Sequence, residues 1–128
     1  MIQRNEEQEQ AAVFEWAAYE QERYPGLELM FHIPNGGYRD KATAAHLKAS
    51  GVKPGVPDIF LPVPRNGCAG LFVEMKVGTN KPSKDQLWYL DRLMRNGYAV
   101  AVCYGFEEAV QTITGYMTGH AAQKGKRA

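Results

Sequence analysis

The stretch "GVPDIFLPVPRNGCAGLFVEMKVG", residues 55–78, decides how this chain is read. Its first half offers a short apolar strand, "DIFLPV" over 58–63, which Pro62 and Pro64 keep short or at a sheet edge. "PRNG" at 64–67 turns the chain and "GLFVEMKV" at 70–77 supplies a second strand, so the spacing predicts an antiparallel hairpin. Side chains alternate across a strand. Leu71, Val73, Met75 and Val77 therefore share one apolar face, and Phe72, Glu74 and Lys76 share the other. Charged side chains in the middle of such a strand need a partner or a metal. Asp58, at the start of the first strand, comes near Glu74 in an antiparallel pairing. Two carboxylates that close repel each other unless a cation lies between them. With no His and no paired Cys nearby in the sequence, a hard cation with oxygen ligands, Mg²⁺ or Mn²⁺, fits best. Lys76 then stands about one side chain from water on that cation, placed to orient or deprotonate a nucleophile or to neutralise a phosphate. The competing reading is an exposed ion pair of little energetic consequence, with Asp58 an ordinary turn residue after Pro57.

Working outward, "SKDQLWYLDRLMRNG" over 83–97 is the clearest helix: Ser83 caps it, Gln86 stands at capping-box spacing, and Gly97 supplies a left-handed stop. Leu87, Leu90, Leu93 and Met94 form its predicted apolar stripe, and Trp88, like Trp16, is expected on a core-facing helix surface. "YAVAVCY" at 98–104 reads as a buried strand parallel to its predecessor, and "FEEAVQTITGYMTG" as a last helix packing Val110, Ile113 and Met117. Upstream, residues 5–23 form a helix on Val13, Trp16 and Ala17, whose face extends back to Glu9 or Gln10 and then Glu6. "LELMFHI" at 27–33 is a strand, residues 39–50 a helix, and "GVKPGVPD" a stiff loop. The fold class is α/β, in the order α-β-α-β-β-α-β-α around one sheet.

A chain of 128 residues suits one domain, and a formal charge of +1 is not that of a polycation. Binding to nucleic acid must come from local patches. Arg39, Lys41, Lys48 and Lys53 supply one, Asn35 and Tyr38 of "PNGGYR" adjoin it, and Lys124, Lys126 and Arg127 form another. Asn35, Arg39, Lys41 and Lys53 are the candidate DNA-backbone contacts; their ordinary reading is turn chemistry and solvated surface. Cys68 and Cys103 lack disulfide or zinc spacing, none of the three histidines reads as a general base, and no leader or membrane span is evident, so a cytoplasmic protein is expected. No G-x-x-x-x-G-K phosphate loop occurs, which disfavours nucleotide phosphoryl transfer.

Taken together, these segments resemble the PD-(D/E)XK nucleases and, more closely, their VRR-Nuc branch, the virus-type replication and repair nucleases. Pro57-Asp58 and Glu74-Met75-Lys76 carry the short signature. Around it stand, in order, an "E…EQ…W" helix, "IPNGGYR", "GVKPGVPD", "GLFVEMK", "S..Q" and "GY.V.VCYG". The short signature is common by chance; its coupling to the others over nearly the whole chain is what makes it specific. The resemblance implies a restriction-endonuclease-like core with a central mixed β-sheet flanked by helices. It implies one nuclease domain over 1–120, followed by a flexible basic tail over 121–128. It also implies a Mg²⁺- or Mn²⁺-dependent DNA endonuclease, a homodimer selective for branched DNA such as four-way junctions. Carried over by motif, Asp58, Glu74 and the Met75 carbonyl hold the metal, Lys76 is the catalytic lysine and Gln86 the glutamine near the site. The helix-one glutamate falls on Glu6, with Glu9 as its rival. The alternative is a DNA-binding module of the same fold without catalysis, expected to lack one of the acids or the lysine; Asp58, Glu74 and Lys76 are all present.

Overall fold

The computed structural model describes residues 4–34 and 40–119; Asn35, Tyr38, Arg39 and the basic residues of the tail lie outside them. Helix α1 spans Glu6–Glu20, strand β1 Phe31–His32, helix α2 Lys41–Ala49, strands β2 and β3 Ile59–Leu61 and Leu71–Lys76, helix α3 Lys84–Arg95, strand β4 Ala99–Tyr104 and helix α4 Phe106–Thr118. This is the element order expected. The strands form one mixed sheet, β1-β2-β3-β4, antiparallel except for the parallel β3–β4 pair.

The hairpin turns where the sequence placed it, on Asn66 and Gly67 at φ +56° and +77°, between Arg65 and Cys68, which bond each other's backbones. Positive φ at both central residues is what an Asn-Gly hairpin turn supplies. One element differs from expectation. The strand predicted over 27–33 shrinks to two residues. Gly26 takes φ +108° and donates its N–H to the Glu28 carboxylate at 2.9 Å, so Leu27–Leu29 wind into a 3-10 turn that buries Leu27. Helix α2 buries none of its residues.

The sheet's two faces carry different loads. On one, Leu71, Val73 and Met75 of β3 with Ala99, Ala101 and Cys103 of β4 meet Val13 and Ala17 of α1 and Ala109, Ile113 and Tyr116 of α4. Val110, expected in that core, is only half-buried. The fully buried Tyr116 takes the inner position instead, its hydroxyl donating to the Val63 carbonyl at 2.6 Å. On the other face, Phe60 stacks on Phe72 at 4.2 Å, Tyr98 meets Phe72 edge-on, and α3 covers the end where Glu74 sits. The capping box of α3 fixes its phase. Leu90 turns inward, while Leu87 and Trp88 turn out; Trp88 is 56% exposed under the Arg92 guanidinium, not in the core as expected. Trp16 does pack against the core, partly buried.

Candidate active site

The β2–β3 register pairs Ile59 with Val73, and one further step sets Asp58 across from Glu74. Asp58 is pinned on both sides of its Cα. Its Oδ2 accepts from the Met75 N–H at 2.7 Å, and its carbonyl accepts from the Ile33 N–H at 2.7 Å and from His32 Nδ1 at 2.8 Å. Glu74 Oε2 accepts from Gln86 Nε2 at 2.9 Å and lies 3.6 Å from Lys76 Nζ. Gln86 thus does two things at once: its Oε1 takes the Ser83 N–H at 2.8 Å in the capping box, and its amide nitrogen reaches the carboxylate. Glu74 is 2% and Lys76 8% exposed. That overturns the exposed-ion-pair reading, because these charges are held in the protein interior.

Burial first, and the neighbouring Asp58 second, push the Glu74 carboxyl up to about 8. Burial likewise raises Asp58, against the pull of its Met75 hydrogen bond. Glu74 Oε1 is fully buried and has no hydrogen-bond partner among the described residues. With both carboxyls ionised it faces no donor, and only a proton shared with Asp58 or a cation relieves it. The donor set is oxygen, which suits Mg²⁺ or Mn²⁺. Among the described residues no three His, Cys, Asp or Glu side chains converge into a finished cage. Mg²⁺ is ordinarily held by one or two carboxylates with water and substrate phosphate filling the rest, so two carboxylates suffice. The residues present fit the ion.

A cleft of about 850 Å³ opens beside them, lined among others by Glu6, Gln10, His32, Asp58, Met75 and Asn80. Glu74 and Lys76 are not on its wall. Glu6 and Glu9, which the sequence could not tell apart, separate cleanly. Glu6 faces the cleft and accepts from Asn80 Nδ2 at 3.2 Å. Glu9 turns to the start of α4, taking the Phe106 N–H at 2.7 Å and pairing with Arg4. Lys41 and Lys53 are exposed, as backbone contacts must be, whereas Asn35 and Arg39 lie outside the described residues.

Two cleft residues had no signal in the sequence. His32 was set aside and no His was expected near the acids, yet β1 pairing brings it against Asp58 from 26 positions away. Asn80 sits in a loop with no motif around it.

A family model described as the VRR-NUC domain matches residues 4–107. A solved structure titled "VRR_NUC domain protein" superposes with a TM-score of 0.79 at 23% identity, covering 100% of both chains. At that identity it bears on the fold alone. No curated protein matches.

Proposed function

The chain belongs to the VRR-NUC domain family, a nuclease-type family, and on that premise we propose a divalent-metal-dependent DNA endonuclease built on Asp58, Glu74 and Lys76. One observation carries the reading: the interior holds a carboxylate opposite a second acid, with an oxygen that no donor among the described residues satisfies. Such an arrangement costs stability and persists where a cation is to be bound.

When bound, Mg²⁺ or Mn²⁺ polarises the scissile phosphate and acidifies the attacking water. Asp58 and Glu74 would hold it with the Met75 carbonyl, and Glu6, across the cleft, would complete the shell or hold a second ion. Gln86, by occupying Glu74 Oε2, would leave Oε1 to a bound ion. Lys76, 3.6 Å from the same carboxylate, orients the water and offsets charge growing on the phosphate in an in-line displacement. The phosphodiester bond breaks, water supplies the new P–O bond, and the leaving oxygen takes up a proton. Asn35, Arg39, Lys41 and Lys53 neutralise flanking phosphates, in keeping with a protein whose net charge of +1 leaves the work to local patches. The substrate in this proposal is branched DNA, such as a four-way junction, and the working form a homodimer.

The test is cleavage of labelled branched and linear DNA with Mg²⁺, Mn²⁺ or EDTA. Metal-dependent cutting is expected, falling about 100-fold or more in Lys76→Ala, assayed at a temperature where its melt shows it folded. A Lys76→Ala protein that cuts at the wild-type rate removes the lysine from the mechanism. Binding without cutting under every metal condition leaves a catalytically silent DNA-binding module.

A further inference from the structure

Glu6 is the first residue of α1, directly after the cap residue Asn5. A carboxylate in that place swings freely unless something outside the helix fixes it. Asn80 does so. It lies in the loop between β3 and α3, four residues after Lys76, and its Nδ2 donates to Glu6 Oε2 at 3.2 Å. Its backbone is fixed in turn: its carbonyl accepts from the Tyr104 hydroxyl at 2.8 Å and its N–H donates to Val77 at 3.2 Å. Tyr104 is the last residue of β4, in register beside Lys76, with its own N–H on the Glu108 carboxylate at 2.8 Å. A hydrogen-bonded line thus runs from the sheet, through the loop, to Glu6.

We infer that Asn80 is a positioning residue for Glu6, anchored by Tyr104, that holds the Glu6 carboxylate at the cleft for a divalent cation. The inference rests on the reading of Glu6 as part of that cation's shell. The chemistry of the side chain suits the task. An amide nitrogen orients a carboxylate without neutralising it, whereas a lysine would compete with the cation and an aspartate would repel the acid. Donors that orient a ligand carboxylate from outside the metal shell ordinarily govern affinity. Asn80 steers one oxygen, Oε2, and does not itself occupy Oε1.

The experiment is a calorimetric Mn²⁺ titration of the full chain without DNA, on wild type, Asn80→Ala, Tyr104→Phe, Glu6→Gln, Asp58→Asn and the Glu6→Gln/Asn80→Ala double variant, with a thermal melt of each. Asn80→Ala should weaken Mn²⁺ binding about 10-fold, with a smaller loss in Tyr104→Phe. In the Glu6→Gln background it should cause no further loss, which a purely structural tether would not produce. Unchanged affinity in Asn80→Ala, or an equal loss with and without Glu6, overturns the inference. If Glu6→Gln binds like wild type while Asp58→Asn does not bind, the inference falls and the Asp58–Glu74 site stands. If the wild type binds no Mn²⁺, both fall.

Discussion

Glu74 illustrates what burial does to a single group. Its carboxyl is pushed up to about 8 from an ordinary 4.5, so through the interval between those values the folded chain keeps a proton that the unfolded chain has lost. Unfolding then releases a proton, and stability falls as pH rises. The contribution is fully present below the unfolded value and gone above about pH 8. Asp58 is raised too and acts in the same direction. In EDTA, the wild-type melting temperature should therefore decline steadily from pH 5 to pH 8. Glu74→Gln, which keeps the shape without the ionisation, should show a shallower slope and melt above wild type at pH 8. Adding Mg²⁺ at pH 8 should raise the wild type and leave Glu74→Gln in place, because the ion substitutes for the missing proton. Parallel pH profiles for the two proteins would show the carboxyl to be solvated.

At the scale of elements, the start of α3 is what brings Gln86 to Glu74, and the loop before β2 holds that start in place. Gly55 adopts φ +86°, and a Cβ there would stand 2.5 Å from the Asp85 carbonyl carbon and oxygen and 2.9 Å from the Gln86 nitrogen. Backbone cannot yield as a side-chain tip does. Gly55→Ala should cost on the order of 2 kcal/mol and, by shifting α3, also weaken Mn²⁺ binding. A variant with wild-type melting and affinity would show that the loop and helix move freely. Gly55 also marks the limit of what the sequence discloses. The hairpin, the capped helix and the alternation that isolates Glu74 and Lys76 all rest on neighbours within a few residues, and their order survives in the structure. Contacts that depend on distant segments did not read out. Nothing local in "LELMFHI" announces that Gly26 will wind Leu27–Leu29 and leave two residues to pair. Trp88 fits an apolar stripe by type, and only the phase set by Ser83 and Gln86 turns it to solvent. Of the site, Asp58, Glu74, Lys76 and Gln86 were legible and are brought together, whereas His32 and Asn80 reach the cleft through pairings that no short motif encodes.

Across the whole molecule, β3 divides two kinds of work. Leu71, Val73 and Met75 anchor the face closed by α1 and α4, while Glu74 and Lys76 occupy the face reached by α3. Perturbing one face should leave the other intact, provided the sheet between them stays rigid. Tyr116 offers the cleanest probe, being fully buried in the α4 face with its hydroxyl on the Val63 carbonyl at 2.6 Å. Burial raises the phenol to about 12, so it is a neutral donor at any working pH. Tyr116→Phe removes that donor and leaves the ring in place. It should cost about 2 kcal/mol, since a buried carbonyl loses its partner, and lower the melting temperature by several degrees. Mn²⁺ affinity and the cleavage rate per folded molecule at 20 °C should not change. Lys76→Ala, which removes the partner of a buried carboxylate, should differ by losing cleavage per folded molecule as well as stability. If Tyr116→Phe lowered Mn²⁺ affinity as well as stability, the two faces would be coupled through β3. The carboxylates would then owe their placement to the packing behind them as much as to Gln86 in front.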